Sequence, residues 1–166
     1  MKIIPLSEGS FTIDKTKVFV PFNKETDDLQ QRAIGSLLVE IQPFAVVTGK
    51  DVLLLDTGLG FHTNEGKMQL HQNLANNGIE PASVTKILLS HLHKDHAGGI
   101  QDMKDNESTP QLSFPNATYY VNKKELAFAT ENKTASYITE DFSLLSSSSK
   151  LILLDDRGVI DDYIHY

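Results

Sequence analysis

The chain has 166 residues, 40% of them hydrophobic and 22% charged, which is the balance of an ordinary globular protein. Its formal net charge of −7 argues against nonspecific binding to nucleic acid or to an anionic membrane surface. The sequence has no cysteine, which excludes disulfides, thiolate metal ligands and a cysteine nucleophile, so any metal must be held by histidine and carboxylate.

The first residues and the overall hydropathy bear on location. Residues 1–8 lack the apolar core of a secretory signal peptide. No stretch approaches the ~20 apolar residues that are needed to cross a bilayer. We therefore expect a soluble, cytoplasmic protein with no membrane partner.

The first third of the chain is predicted to be mostly strand. Residues 10–22 alternate or run apolar, whereas residues 23–33 are polar and predict a surface loop or a short helix. Residues 37–47 and 52–56 are apolar runs on either side of a Thr-Gly-Lys-Asp turn at 48–51, which predicts a hairpin. The second run is apolar on both faces, as expected of a buried central strand.

The next elements alternate between helix and strand. Residues 64–77 carry a broad apolar stripe at helical spacing, with Gly78 as a stop signal. Residues 84–90 predict another buried strand. The remaining predicted elements are a strand at 117–121, a helix at 122–130, a loop at 146–149, a strand at 151–154 and a turn at 155–158.

The order of these elements predicts the fold class. Strands and helices are interleaved, and the early strands form a meander, which indicates an α+β fold with a mixed sheet and helices packed against it. No linker or repeat divides the chain, so residues 1–166 are predicted to form a single domain.

Metal-ligating residue types are concentrated directly after the strand at 84–90. We call His91, His93, Asp95 and His96 the histidine cluster. If the strand continues, His91 and His93 share one face, and Asp95 and His96 fall on the turn into the next helix. Imidazole and carboxylate suit zinc, iron or manganese. Four such residues within six positions favour a metal site over surface histidines with a chance aspartate.

The same segment resembles a known family signature. His-Leu-His-Lys-Asp-His at 91–96 resembles the His-x-His-x-Asp-His signature of the metallo-β-lactamase superfamily. Leu-Leu-Leu-Asp-Thr-Gly at 53–58 resembles the strand and loop that precede it, and residues 79–91 resemble the usual approach to it. Residues 119–126 resemble the strand and helix that follow, so the resemblance extends over about residues 35–160.

The resemblance implies an αββα sandwich of two similar halves, of which this chain corresponds to the N-terminal half and is C-terminally incomplete. It implies that His91 and His93 belong to a first metal site and Asp95 and His96 to a second, for up to two zinc ions, with iron or manganese as alternatives. The implied chemistry is hydrolysis by a metal-bound hydroxide, with Asp95 as the catalytic residue that also holds the water.

Two residues near the signature have alternative interpretations. Asp56 is a candidate for orienting a ligand histidine, or it is a strand-end aspartate that caps a turn. Gly98 and Gly99 have no side chains and permit close backbone approach beside the site.

The implied substrate is a small molecule, namely an ester, a lactone, a thioester or a similar compound. Net charge disfavours cleavage of nucleic acid, and His93 disfavours iron redox chemistry, for which a carboxylate is expected at that position. The alternative function is a catalytically incomplete metal-binding fragment that needs a second chain or half. The complement would be a C-terminal fragment or a second copy in a homo-oligomer.

The other histidines do not complete the ligand set. The family pattern requires a later histidine in a Gly-His-Thr-like context, and no such motif occurs up to Tyr166. His165 is either that ligand or, as we favour, an ordinary strand residue. His62 either lines the substrate entrance or, as we favour, is an exposed loop residue, and His71 is predicted to be packed and hydrogen-bonded at the edge of the helix stripe.

Overall fold

A computed structural model of the chain describes residues 1–102 and 109–166. The strands in these two stretches are β1 (Lys2–Pro5), β2 (Gly9–Ile13), β3 (Val20–Pro21), β4 (Leu37–Ile41), β5 (Phe44–Val47), β6 (Val52–Leu55), β7 (Lys86–Leu88), β8 (Gln101–Asp102), β9 (Gln111–Leu112), β10 (Thr118–Asn122), β11 (Leu151–Leu154), β12 (Val159–Ile160) and β13 (Ile164–His165). The helices are α1 (Gln69–Asn76), α2 (Lys94–Ala97), α3 (Lys123–Glu131) and α4 (Thr139–Ser146), with 3₁₀ turns at Leu29–Gln31 and Pro81–Ser83.

Six strands form the central sheet in the order β1-β5-β6-β7-β10-β11. The first three pair antiparallel, whereas β6, β7, β10 and β11 run parallel to one another. The predicted α+β fold with a mixed sheet is therefore confirmed. Because parallel strands end at the same edge of a sheet, the segments that follow β6, β7 and β10 are brought together there.

The main core lies on one face of this sheet. Strand register aligns one residue from each of five neighbouring strands, and all five are buried: Ile4, Ala45, Leu54, Ile87 and Tyr119. Helices cover this face with a second set of fully buried side chains: Leu70, Leu74, Phe142 and Leu145. Burial of such side chains contributes about 1.5–3 kcal/mol each, so this layer holds the edge that carries the histidine cluster in place.

The second face of the sheet is covered only in part by the described residues. Tyr120 and Leu154 pack there against Ile160 of the β12–β13 hairpin. On the same face Ile3 is 59% exposed and Ile152 is 44% exposed. This face therefore presents apolar surface to solvent at both edges of the sheet.

A salt-bridge network attaches the β12–β13 hairpin to the start of β7. The ammonium of Lys86 lies 2.5 Å from Asp51 Oδ1 and 3.0 Å from Asp161 Oδ2. The hydroxyl of Tyr163 donates a hydrogen bond to the other oxygen of Asp51. The hairpin is thus anchored at the end of β7 that is opposite to the histidine cluster.

A smaller antiparallel sheet, β3-β2-β4, lies over the loop that follows β6. Phe11 and Ile41 from this sheet form a separate buried cluster with Leu59 of that loop. The small sheet consequently forms one wall beside the carboxyl edge of the central sheet.

Several predicted elements are confirmed. The hairpin of β5 and β6 has Val47 paired with Val52 across the predicted turn. The helix predicted at 122–130 is α3, and Asn122 caps it by accepting a hydrogen bond from the Lys124 N–H. The strand predicted at 151–154 is β11, and the strand predicted at 84–90 is confirmed over its three central residues as β7.

Other predicted boundaries are wrong. Residues 10–22 form two strands, because the Asp14 carboxylate accepts the Thr16 N–H and folds the chain into a turn. The run at 37–47 is interrupted at Pro43, which has no N–H for a strand ladder, so β4 and β5 belong to different sheets. The helix predicted at 64–77 begins only at Gln69, after a turn in which Gly66 has a φ of 78°.

Helix α4 lies outside the predicted elements except for its last residue, Ser146, which falls within the segment predicted to be a loop. None of the helices within residues 1–102 and 109–166 is long and apolar enough to cross a membrane.

A buried carboxyl group lies beneath the loop after β6. Glu8 is only 3% exposed, and its Oε2 accepts the Leu59 N–H at 2.7 Å. Its Oε1 is buried without a hydrogen-bond partner among the described atoms. Burial raises the pKa of Glu8 to about 7, although the hydrogen bond from Leu59 acts to lower it.

We predict that Glu8 makes the stability of the fold depend on pH. Because the folded pKa is raised above the ordinary value of 4.5, the contribution of the protonated carboxyl is complete below pH 4.5 and is lost as pH rises through about 7. Glu8→Gln keeps an acceptor for Leu59 and cannot ionise. The free energy of unfolding of Glu8→Gln, relative to that of the wild type, should therefore rise by up to about 3 kcal/mol between pH 4.5 and 8.

Urea denaturation followed by circular dichroism across this pH range measures the difference. Glu65→Gln is the matched control, because Glu65 is exposed and loses the same charge. Parallel pH profiles for the wild type and Glu8→Gln would contradict the prediction.

Candidate metal centre

The histidine cluster follows the end of β7 at the carboxyl edge of the central sheet. His91 and His93 lie in the loop after β7 rather than on the strand, and Asp95 and His96 lie within α2 rather than on a turn before it. Strand β7 ends here because it loses both of its neighbours. Strand β6 stops at Leu55, and β10 passes into α3 two residues after its last pairing with β7. The chain is then free to turn.

The structure nevertheless brings the four residues together. The ring centroid of His91 lies 4.6 Å from that of His93 and 4.0 Å from that of His96. Oδ2 of Asp95 lies 3.5 Å from Nε2 of His96. All four residues are partly exposed, so the cluster lies at the protein surface.

The Asp56 carboxylate joins two segments of this site. Its Oδ2 lies 2.8 Å from Nδ1 of His96, so Nε2 is the ring nitrogen that Asp56 does not engage. Its Oδ1 accepts the backbone N–H of Ser90 at 2.7 Å. Asp56 has a φ of 64°, a left-handed conformation that is uncommon for a residue other than glycine. The contact with Nδ1 of His96 is the kind of contact that orients a histidine for metal binding. The contact with the Ser90 N–H shows that the carboxylate caps the neighbouring loop rather than its own turn.

Ser90 is a site residue that the sequence did not reveal. Its hydroxyl donates to Oδ2 of Asp56 at 2.9 Å and lies 3.1 Å from Nδ1 of His91. The only signal in the sequence is a small hydroxyl residue directly before the first histidine. The Ser90 hydroxyl thus connects His91 to the Asp56 carboxylate, and that carboxylate pairs in turn with His96.

Burial and neighbouring groups shift the pKa values of His91 and His96 in opposite directions. Burial lowers the pKa of His91, and His96 and His93 lower it further. Burial also acts to lower the pKa of His96, but the hydrogen bond and charge of Asp56 outweigh it, and the net direction is upward. A neutral imidazole is the form that can bind a cation through its lone pair.

The loop after β6 packs on the backbone of the cluster. The N–H and hydroxyl of Thr57 both donate to the His96 carbonyl, at 2.7 and 2.9 Å. A Cβ added to Gly99 would lie 2.2 Å from the Thr57 carbonyl oxygen, and one added to Gly60 would lie 2.2 Å from that of Gly98. The close backbone approach expected at Gly98 and Gly99 is therefore present.

The donor types fit a divalent cation of the zinc class, since the histidine cluster offers three imidazoles and one carboxylate. Within residues 1–102 and 109–166, however, no three histidine, aspartate or glutamate side chains are arranged to hold one metal ion. A catalytic zinc usually has three protein ligands. The described residues thus supply the right donors without a complete set for one ion.

A cleft of about 380 Å³ opens beside the cluster. Asp56, Asp95 and His96 line one side of it. The other side is formed by the small sheet and its connections, with six apolar side chains: Ile13, Phe19, Leu37, Val39, Ile41 and Pro43. The volume lies in the range of small-molecule pockets.

The remaining histidines lie outside the cluster. His62 is on the surface and pairs with Asp102 at 2.8 Å. His71 packs edge-on against Phe114 with ring centroids 5.0 Å apart, although its Nε2 has no hydrogen-bond partner among the described atoms. His165 is an exposed residue of β13, in the hairpin anchored at the opposite end of β7.

Comparison with known proteins gives the following matches. The family model described as the metallo-beta-lactamase superfamily matches residues 40–160. A curated relative, the lactamase-like protein notP of Aspergillus sp. (strain MF297-2), is 40% identical over 60 residues, which are 36% of this chain and 17% of that protein.

Similar solved structures include a probable metal-dependent hydrolase from Staphylococcus aureus, with 21% identity and a TM-score of 0.67, over 95% of this chain and 60% of that one. The hydrolase AbOPH of the beta lactamase superfamily has 23% identity and a TM-score of 0.66, over 96% and 59%. The dizinc quorum-quenching lactonase AidC has 23% identity and a TM-score of 0.62, over 96% and 60%. The chain thus spans about 60% of the length of these structures and 17% of the curated relative.

We predict that Gly99→Ala disrupts the packing of the Thr57 loop on the cluster. The added methyl would contact backbone, which cannot rotate away, so the free energy of unfolding should fall by about 1–3 kcal/mol. Gly49→Ala is the control, because its Cβ would meet nothing within 4 Å. Urea denaturation curves of the two variants give the comparison, and an equal effect of both substitutions would refute the packing argument.

Proposed function

This chain belongs to the metallo-β-lactamase superfamily, and we propose that it is the metal-binding part of a hydrolase that acts on small esters, lactones or thioesters. The observation that carries the proposal is the approach of three imidazoles and the Asp95 carboxylate at one edge of the sheet, with His96 held by Asp56. The superfamily membership and its hydrolase neighbours support metal-dependent hydrolysis as the general chemistry.

The proposed ligands are His91 and His93 for a first ion and Asp95 and His96 for a second. Zinc is the proposed metal, with iron or manganese as alternatives, since the donors are nitrogen and oxygen and a dizinc enzyme is among the structural neighbours. When bound, a divalent cation supplies Lewis acidity and lowers the pKa of a coordinated water.

The residues of the chain have separate proposed roles. Asp56 and Ser90 fix the ring of His96 so that Nε2 faces Asp95. Asp95 borders the cleft, where its carboxylate can accept a hydrogen bond from the attacking water and hold it toward the substrate. In this proposal Asp95 is therefore the catalytic residue.

The cleft supports a small substrate with an apolar portion. Its apolar wall suits an acyl or ring substituent, and a substrate bound in this way would have its scissile bond next to Asp95 and His96. One structural neighbour is an N-acyl homoserine lactone hydrolase with its product N-hexanoyl-L-homoserine at the catalytic metal centre, which favours a lactone or a related ester for this chain. The net charge of −7 disfavours nucleic acid.

A second candidate function is an incomplete metal-binding fragment that becomes active only with a complementing chain, half or second copy. Three observations favour it. No three-ligand group occurs in the described part of the chain, the chain spans about 60% of its solved neighbours, and Ile3 and Ile152 leave the second face of the sheet partly exposed. The complement would cover that face and supply the remaining ligands.

We predict that the 166-residue chain by itself holds fewer than two metal ions tightly. Two protein ligands per ion leave more positions to water than a stable catalytic zinc site allows. Equilibrium dialysis against zinc, with metal analysis of the retained protein, gives the stoichiometry. Two tightly bound ions per chain would show that the ligand set is already complete and would exclude the fragment hypothesis.

We also predict that the gene product that contains this sequence hydrolyses generic ester or lactone substrates, and that a chelator abolishes the activity. His93→Ala should remove most of the activity and bound metal, whereas His62→Ala, an equivalent change outside the cluster, should retain the metal. The assay compares ester, lactone and phosphodiester substrates with and without chelator. Hydrolysis that persists after metal removal would reject the proposed function, and retained metal without turnover would favour the fragment.

A further inference from the structure

Helix α3 holds the backbone between the first two histidines of the cluster. The N–H of Leu92 donates to Oε1 of Glu125 at 2.8 Å. The side chain of the same leucine is 1% exposed and packs in the main core. Because a carboxylate is a strong acceptor and an unpaired buried N–H is costly, both the amide and the side chain of Leu92 are restrained. The residue between His91 and His93 is therefore fixed from two sides.

Tyr137 restrains His93 from the segment between α3 and α4. Its ring centroid lies 4.5 Å from that of His93 in an edge-on arrangement, and 5.6 Å from that of Phe128 on α3. Burial raises the pKa of the Tyr137 hydroxyl, and the charge of Glu125 and a side-chain hydrogen bond with it raise that pKa further. The backbone continues the contact, since the N–H of Lys94 donates to the Ser136 carbonyl at 2.9 Å.

We propose that Glu125 and Tyr137 are positioning residues that set the spacing and ring orientation of His91 and His93 for a divalent cation. Neither residue is a ligand in this arrangement. The inference rests on the proposed function, because it requires that these two histidines bind metal. Groups that hold ligands from outside the coordination sphere typically change metal affinity by about 10–100-fold when they are removed.

A purely helical role for Glu125 predicts a different outcome. An acidic residue in the first turn stabilises a helix through its dipole. Helix α3 already has Asn122 as its N-terminal cap, and Oε1 of Glu125 is directed at Leu92, 33 residues earlier in the chain. A helix-stabilising role would change the melting temperature without changing either the Leu92 amide or the metal affinity.

The first experiment uses metal-free protein and is independent of any activity. Amide hydrogen exchange of Leu92, followed by NMR, should accelerate by about tenfold in Glu125→Ala, because one hydrogen bond is lost. Glu125→Gln should keep slow exchange, since its side-chain carbonyl still accepts. Glu131→Ala removes the same charge at the exposed end of α3 and serves as the control. Unchanged exchange in Glu125→Ala would overturn the proposal.

The second experiment measures cation binding by the full chain. Co²⁺ affinity, from competition with a chelating dye, should fall about tenfold or more in Glu125→Ala and in Tyr137→Leu. The visible absorption of bound Co²⁺ should change with it. Glu125→Gln and Tyr137→Phe, which keep the acceptor and the ring, should restore affinity to within about threefold of the wild type.

The outcomes separate this inference from the proposed function. If Glu125→Ala and Tyr137→Leu bind Co²⁺ as the wild type does and differ only in melting temperature, the positioning role is wrong and the proposed function stands. If the wild type takes up no Co²⁺ even weakly, at the highest Co²⁺ concentration that keeps the protein in solution, both are wrong. Tyr137→Leu keeps Glu125, the acceptor of the Leu92 N–H, so it tests the proposal even if Glu125→Ala does not fold.

Discussion

The carboxylate of Asp56 is the contact on which the geometry of the site depends. It stands at the end of β6, accepts the backbone N–H of Ser90 beyond the end of β7, and pairs with the imidazole of His96 in α2. The end of β6 is thus joined to two points of the segment 90–96, which lie 34 and 40 residues later in the chain. The left-handed backbone of Asp56 turns the carboxylate toward them, and such conformations persist where surrounding contacts over-determine them.

The parallel part of the sheet makes this convergence possible. Strands β6, β7 and β10 end at one edge, so Asp56, the histidine cluster and Glu125 all follow strand ends that are neighbours in space. Glycine at 98 and 99 lets the loop after β6 lie on the backbone of the cluster. Rigid strands fix the backbone, and the polar side chains at their ends adjust the rings, which is the division that a precise ligand arrangement requires.

The two faces of the central sheet differ in how far the described residues cover them. One face has a continuous buried core, whereas the other is closed near Tyr120 by the β12–β13 hairpin and is open near Ile3 and Ile152. The proposed ligands lie at the edge of this same sheet, and among residues 1–102 and 109–166 they form no three-residue group that could hold one ion. Both features are consistent with a chain that matches about 60% of the length of its solved neighbours.

The sequence by itself determined the fold class and the family, and it identified the four cluster residues as neighbours after a strand. These depend on local patterns: apolar strands, a capped helix and metal-ligating residue types at fixed spacing. It did not determine where β4 ends, which depends on Pro43, or how His91 and His93 leave the strand, which depends on the ends of the neighbouring strands. It also did not determine α4, whose Phe142 and Leu145 are buried in the main core. The roles of Ser90, Glu125 and Tyr137 were also beyond it. Ser90 meets Asp56 through the parallel pairing of β6 and β7, and Glu125 meets Leu92 through that of β7 and β10. Tyr137 reaches His93 from the segment between α3 and α4. Such contacts between distant segments have no periodic signature in the chain.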